Sequence, residues 1–291
     1  MTNDKRWIII FQDYIVEPMN QIKLICLDVD GTLVDDNVKI PQCNIDEIKR
    51  AVSKGVKVAI TSGRMSLSTK YFMDLIGIDG AISSLCGGML EDEIGNIIEE
   101  YFLDLEICKK IIQLANDNGI TLYAYHHYEW YTDITKADPY WIDAEKRLTN
   151  VRGTLVHDLQ KEVLERLCPN KMLAMHKDPE KAKAFMEYLE KELPDRSKIN
   201  IFMSGRTYIE LVPPQANKGN AVRGLCRYYN IPKENVMVCG DYYNDIHMFK
   251  EAAISVAAAN APDAVKKAAT YVTKADNNQG VVAEAIRVFI P

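Results

Sequence analysis

Asp28 and Asp30 stand two residues apart in Asp28-Val29-Asp30-Gly31-Thr32, directly after the short apolar run of residues 22–27. Such a run reads as a strand buried on both faces. In an open parallel sheet, ligands collect beyond the carboxyl ends of the strands. Two carboxylates in that place repel each other unless something compensates them. A hard divalent cation does so, because it prefers oxygen ligands. An Asp-rich turn is the plainer alternative. An EF-hand loop fails, since the glycine falls too early and no Glu stands at the twelfth position.

Three further groups can join this pair. Gly240-Asp241-Tyr242-Tyr243-Asn244-Asp245 follows the apolar run 236–239 and puts two more carboxylates at a strand end. Asp residues also suit a helix N-terminus for its dipole alone. Beside Asp28 and Asp30, however, they supply the second half of a magnesium site. Thr61-Ser62-Gly63-Arg64 ends the run 56–60 and opens a helix. Its hydroxyl and amides suit a phosphate oxygen, or serve only as an N-cap. Lys218-Gly219 starts another helix, where a cation opposes the dipole. That lysine is either aimed at an anion or simply solvated. The sequence has no Gly-x-x-x-x-Gly-Lys-[Ser/Thr], Gly-x-Gly-x-x-Gly, His-Glu-x-x-His or Gly-x-Ser-x-Gly. The five histidines lack metal spacing and read as surface or core residues.

These groups must be positioned by an α/β scaffold. Strands at 22–27, 56–60 and 81–85 alternate with helices at 43–54 and 67–76, which predicts a parallel sheet with right-handed crossovers. Turn signals at Gly87-Gly88 and residues 92–95 then predict a hairpin. A long middle block mixes helices (104–118, 138–149, 159–167, 179–192) with strands (120–125, 128–132, 171–176, 199–203). The α/β rhythm returns from 209 onward. The expected division is an N-terminal extension at 1–20, a core at 21–85 and 206–291, and an inserted α+β domain at 86–205. Met19-Asn20 directly before a strand leaves two readings of residues 1–18: an upstream-start extension, or an element packed on the body.

At 291 residues the chain is long enough for about two domains and needs no disulfide or zinc staple. Its net charge of −6 argues against nucleic-acid and membrane-surface partners, and no run reaches the length of a membrane span. Seven cysteines without Cys-x-x-Cys, and no Asn-x-Ser/Thr sequon, fit free thiols in the cytoplasm.

Taken in order, Asp28-x-Asp30-Gly-Thr, Ser62-Gly-Arg, Lys218-Gly and Gly-Asp241-x-x-Asn244-Asp245 resemble the haloacid dehalogenase (HAD) superfamily. The long insertion and the form of the last motif resemble its Cof-type, class IIB phosphatases. The resemblance covers residues 22–291 and implies a HAD-like Rossmannoid core with an inserted cap. It implies hydrolysis of small phosphorylated metabolites, sugar phosphates or nucleotide-like cofactors, in a monomer or homodimer. Asp28 would be the nucleophile and Asp30 the general acid and base. Magnesium would be held by Asp28, the Asp30 backbone carbonyl and Asp241, with Asp245 either direct or one layer behind. Ser62, Gly63, Lys218 and Asn244 would hold the phosphate. Arg64 would meet substrate or form a structural ion pair.

The sequence departs from the family pattern at Cys86-Gly87-Gly88, where an Asn-Gly is common, and at Met65 in place of a proline. A third departure is Ala258-Ala259-Asn260-Ala261. None removes a catalytic group. The aromatics Tyr123, Tyr125, Tyr128, Trp130, Tyr131, Tyr140 and Trp141 would stack on a substrate ring or form the insertion's own core. The same motifs also suit a phosphomutase or a catalytically silent binding protein.

Overall fold

The computed structural model describes residues 21–149, 153–193 and 195–291. The expected extension at 1–20 lies outside the described residues. Two sheets organise the rest. The larger has eight strands in the order Tyr271–Val272, Ile254–Ala257, Val236–Gly240, Leu24–Leu27, Lys57–Thr61, Ala81–Ser84, Met89–Glu91, Ile97–Glu100. Pairing is parallel from Tyr271–Val272 through Ala81–Ser84 and antiparallel across the final hairpin.

The central strands are short and wholly apolar because both faces are covered. Ile25 and Leu27 point to one side, where they meet Ile48, Phe72, Met73, Val282 and Ile286 from helices Gln42–Ser53, Ser66–Ile76 and Val281–Phe289. Leu24 and Cys26 point to the other, against Val222, Leu225, Met248 and Val265. From Leu24–Leu27 the chain first adds strands on one side, and later returns to add Val236–Gly240 on the other. That reversal makes a switch point between these two strands, the place where such sheets bind ligands. Asp28 and Asp241 are the first residues beyond their carboxyl ends.

The second sheet runs Asn200–Met203, Tyr208–Val212, Lys171–Met175, Thr121–His126, Glu129–Asp133, Thr154–Val156, antiparallel except for its last pair. The two-residue period of its strands divides its faces. Leu122, Ala124, Met172 and Ala174 pack on helices Leu105–Asp117 and Pro179–Glu192. Tyr123, Tyr125, Leu173 and Met175 face the other way, together with Trp130 and Trp141, and meet Met65 and Leu85 of the first unit.

Strand pairing runs across the expected borders at 86 and 206. Residues 89–100 extend the larger sheet, with Met89 opposite Ser84 and Leu90 buried beside Val222 and Leu225. Tyr208–Val212 belongs to the smaller sheet, between Asn200–Met203 and Lys171–Met175. Apolar runs declare a strand but not the sheet it joins. After Val236–Gly240 the chain makes a 3₁₀ turn, Tyr243–Asp245, followed by the short helix Ile246–Phe249. The helix expected at 159–167 is a single π turn, Gln160–Leu164. No helix among the described residues is long and apolar enough to cross a membrane.

Candidate active site

The Asp28 backbone N–H donates to the Cys239 carbonyl at 2.9 Å, so the pairing of the two central strands continues into the loop. The loop then folds back on itself, with the amides of Thr32, Leu33 and Val34 all reaching the Val29 carbonyl. Gly31 sits at φ +82°, and a Cβ there would lie 2.3 Å from Asp241 Oδ2. Only glycine therefore lets the two acidic loops approach this closely. Thr32 Oγ1 donates to Asp241 Oδ1 at 3.1 Å, and Asn260 Nδ2 donates to the Gly31 carbonyl at 2.9 Å.

Asp245 organises the second loop. Its Oδ2 accepts the amides of Asp241 and Tyr242, each at 2.9 Å, and its Oδ1 receives Lys218 Nζ at 2.5 Å. Lys218 also donates to Asp28 Oδ1. The placement of this lysine against the helix dipole thus has a cause: two carboxylates outside the helix start hold its buried ammonium.

Asp28, Asp241 and Asp245 each offer an oxygen within 4.8 Å of the others. Three carboxylates face one ammonium, leaving a formal −2 if all are ionised. Burial pushes the Asp28 carboxyl well up; Lys218 opposes this, while Asp245 and Asp241 add to it. Burial, reinforced by Asp245 and opposed by Lys218, pushes Asp241 up to about 6. An oxygen-only donor set with surplus negative charge fits a hard divalent cation. Asp28 and Asp241 are the side chains best placed to hold it, because Asp245 already serves two amides and the lysine.

Beyond this cluster lies a cavity of about 380 Å³, lined at its base by Asp28, Asp30, Ser62, Gly63, Asp241 and Asn244. Ser62 Oγ accepts the Arg64 amide at 3.1 Å. Arg64 Nε and Nη2 grip the Asp30 carboxylate at 2.8 and 2.7 Å, a bidentate pair. Of the two expectations for Arg64, the structure shows the ion pair. Burial, reinforced by Glu210, pushes the Cys86 thiol up to about 12, so it stands where the family asparagine would as an inert group. Its amide still holds the Ser62 carbonyl at 3.0 Å. Among the aromatics, Tyr123 and Trp130 pack edge-to-face in the smaller unit's core, while Tyr125 also lines the cavity.

Five lining or supporting residues were not singled out from the sequence for these roles: Thr32, Asn260, Glu145, Lys171 and Glu210. The last two carry a readable signal, a lone charge inside an otherwise apolar strand.

A sequence profile described as haloacid dehalogenase-like hydrolase matches residues 25–286. The chain belongs to this family. It is 30% identical over 269 residues to the 5-amino-6-(5-phospho-D-ribitylamino)uracil phosphatase YcsE of Bacillus subtilis, covering 92% of this chain and 96% of that one. It is 28% identical over 287 residues to YwtE, of the same name and organism, covering 89% and 96%. A crystal structure of a haloacid dehalogenase-like hydrolase from Bacteroides thetaiotaomicron superposes with a TM-score of 0.82 at 30% identity, covering 92% of this chain and 100% of that one. This haloacid dehalogenase-like hydrolase is, like the two relatives just named, an enzyme of the phosphatase class.

Proposed function

We propose that the enzyme hydrolyses phosphate monoesters of small metabolites, sugar phosphates or nucleotide-like compounds such as those its relatives are named for, with Asp28 as nucleophile and magnesium as the metal. The observation that carries this reading is the placement of Lys218 between Asp28 and Asp245, with Asp241 alongside, at the switch point of the parallel sheet.

An Asp28 oxygen attacks phosphorus as the bond to the leaving oxygen breaks, giving an aspartyl-phosphate and an alcohol. Asp30 donates the proton that the leaving oxygen needs. It then takes a proton from the water that attacks the aspartyl-phosphate, which releases inorganic phosphate and restores both carboxyl groups. For this work Asp30 must exchange its contact with Arg64 for one with the substrate. Lys218, Ser62, the Gly63 amide and Asn244 hold the phosphoryl oxygens as charge redistributes. Asp28, the Asp30 carbonyl and Asp241 would hold magnesium, which when bound offsets repulsion between the carboxylate and a dianionic phosphate. The smaller unit serves as a cap that excludes water and contacts the leaving group.

Chelation with EDTA is expected to abolish phosphate release, and Mg²⁺ to restore it. A second readout follows from Asp241. Its folded carboxyl titrates at about 6 against an ordinary 3.8, so between these values the metal-free folded state holds a proton that the unfolded chain has lost. The metal-free protein therefore loses stability as pH rises through that window. The rise in unfolding temperature on adding Mg²⁺ should be smallest near about pH 4 and largest near about pH 7, because the metal displaces that proton. Equal stabilisation at both pH values, or undiminished turnover in EDTA, would contradict the metal assignment.

A further inference from the structure

The cavity wall opposite Asp28 carries charge that the phosphate end does not use. Lys171 and Glu210 stand on neighbouring antiparallel strands and face the cavity with Tyr125 and Leu173. Lys171 Nζ lies 2.7 Å from Glu210 Oε2 and donates to the Gly63 carbonyl at 2.9 Å. Its ammonium sits 5.0 Å above the centre of the Tyr125 ring. Ser204 Oγ donates to Glu210 Oε1, and the Tyr125 hydroxyl to Glu145 Oε1, both at 2.7 Å. Both Lys171 and Glu210 are more than nine-tenths buried.

A buried ion pair usually costs as much in desolvation as it returns, and an apolar pair would close this wall as well. Its effect on a ligand is more specific. On this wall the cation is already matched, Lys171 by Glu210, whereas Arg64 belongs with Asp30 at the phosphate end. Glu145 and Glu210 leave the wall rich in acceptors. A carboxylate or second phosphate that reaches this wall would meet two buried carboxylates and, on the wall itself, no unmatched cation. One with hydroxyl or amino groups would donate hydrogen bonds to them.

We infer that the enzyme selects phosphate esters whose leaving group is a neutral or cationic hydrogen-bond donor, and rejects a second anion, through the Lys171–Glu210 pair and Glu145. This rests on the phosphatase reading above. The selection is a matter of transition-state contacts, and an unpaired buried charge discriminates strongly.

The test measures kcat/KM on two ester sets. Glucitol 6-phosphate, ribose 5-phosphate and glucosamine 6-phosphate form one; 2-phosphoglycolate, 3-phosphoglycerate and fructose 1,6-bisphosphate form the other. The first set should be preferred by at least about tenfold. Glu210→Gln leaves the Lys171 ammonium without its carboxylate, so it should raise kcat/KM for 2-phosphoglycolate by about tenfold, a gain that structural damage does not produce. The double variant Lys171→Met/Glu210→Leu removes both charges and should show no such gain. Equal wild-type rates on the two sets would overturn the inference, as would a folded Glu210→Gln enzyme without the gain. If Glu210→Gln does not fold, the wild-type preference and the double variant decide. p-Nitrophenyl phosphate separates the two levels. Wild-type hydrolysis of it without the preference refutes only the selectivity, whereas no hydrolysis of any ester refutes the phosphatase reading and this inference with it.

Discussion

Asp28→Asn is expected to lower kcat by at least about 10³-fold, because a neutral amide cannot take the phosphoryl group as a carboxylate does. The substitution keeps the side chain's shape and leaves an oxygen to accept the Lys218 contact, so the fold should survive. Stability should move in the opposite direction to activity. Burial already pushes the Asp28 carboxyl up, helped by Asp245 and Asp241, so its ionised form is a burden on the metal-free protein. Removing that charge should leave the metal-free variant at least as stable as the wild type, the usual relation at a strained catalytic site. Steady-state phosphate release, thermal unfolding and a mass measurement to exclude deamidation together check this. A folded, intact Asp28→Asn enzyme with full metal-dependent turnover would end the assignment.

Lys218→Met carries the second large effect, about 10²–10³-fold in kcat/KM at neutral pH. Lys218 does two jobs at one place. It stands where phosphoryl oxygens must arrive, and it counters the forces that raise Asp28 and Asp241. Its own pKa is raised: burial works against the charge, but Asp245 and Asp28 outweigh it. Without the ammonium both carboxyl groups hold their protons to higher pH, and a protonated Asp28 is a poor nucleophile. The acid limb of the kcat/KM profile should therefore move upward, with part of the lost activity returning as pH rises. A uniform loss with an unmoved acid limb would show that the lysine contacts phosphate without tuning the carboxylates.

How much of this can be read from the sequence follows from the range of the interactions involved. Apolar runs ending in Asp28 and Asp241 announce themselves locally, because a strand buried on both faces is continuous and a carboxylate at its end is conspicuous. The parallel α/β core follows from the same rhythm. The structure adds what pairing across the chain decides. Nothing in residues 89–100 or 208–212 states which sheet they join, since an apolar run does not name the strand it pairs with. Arg64 has two plausible uses in the sequence, and only geometry shows its guanidinium on Asp30. Lys171 and Glu210 are visible as lone charges in apolar strands, yet their meaning depends on register: Tyr125 lies opposite Lys171, Leu173 lies opposite Glu210, and all four share one face. Cys86 takes the left-handed conformation at φ +61°, which its residue type does not suggest, because the chain must turn there to place its amide on Ser62.

The claim on which the mechanism turns is that Asp28 becomes phosphorylated during each turnover. Rapid acid quenching during hydrolysis of a ³²P-labelled ester, followed by borohydride reduction and peptide mapping, reads this directly. An acyl phosphate is reduced to an alcohol at its own position. The quenched wild-type enzyme is expected to carry ³²P that borohydride releases, with the resulting alcohol mapping to residue 28, and the Asp28→Asn variant to show neither. Label at another residue, or reduction elsewhere with Asp28 untouched, would contradict it.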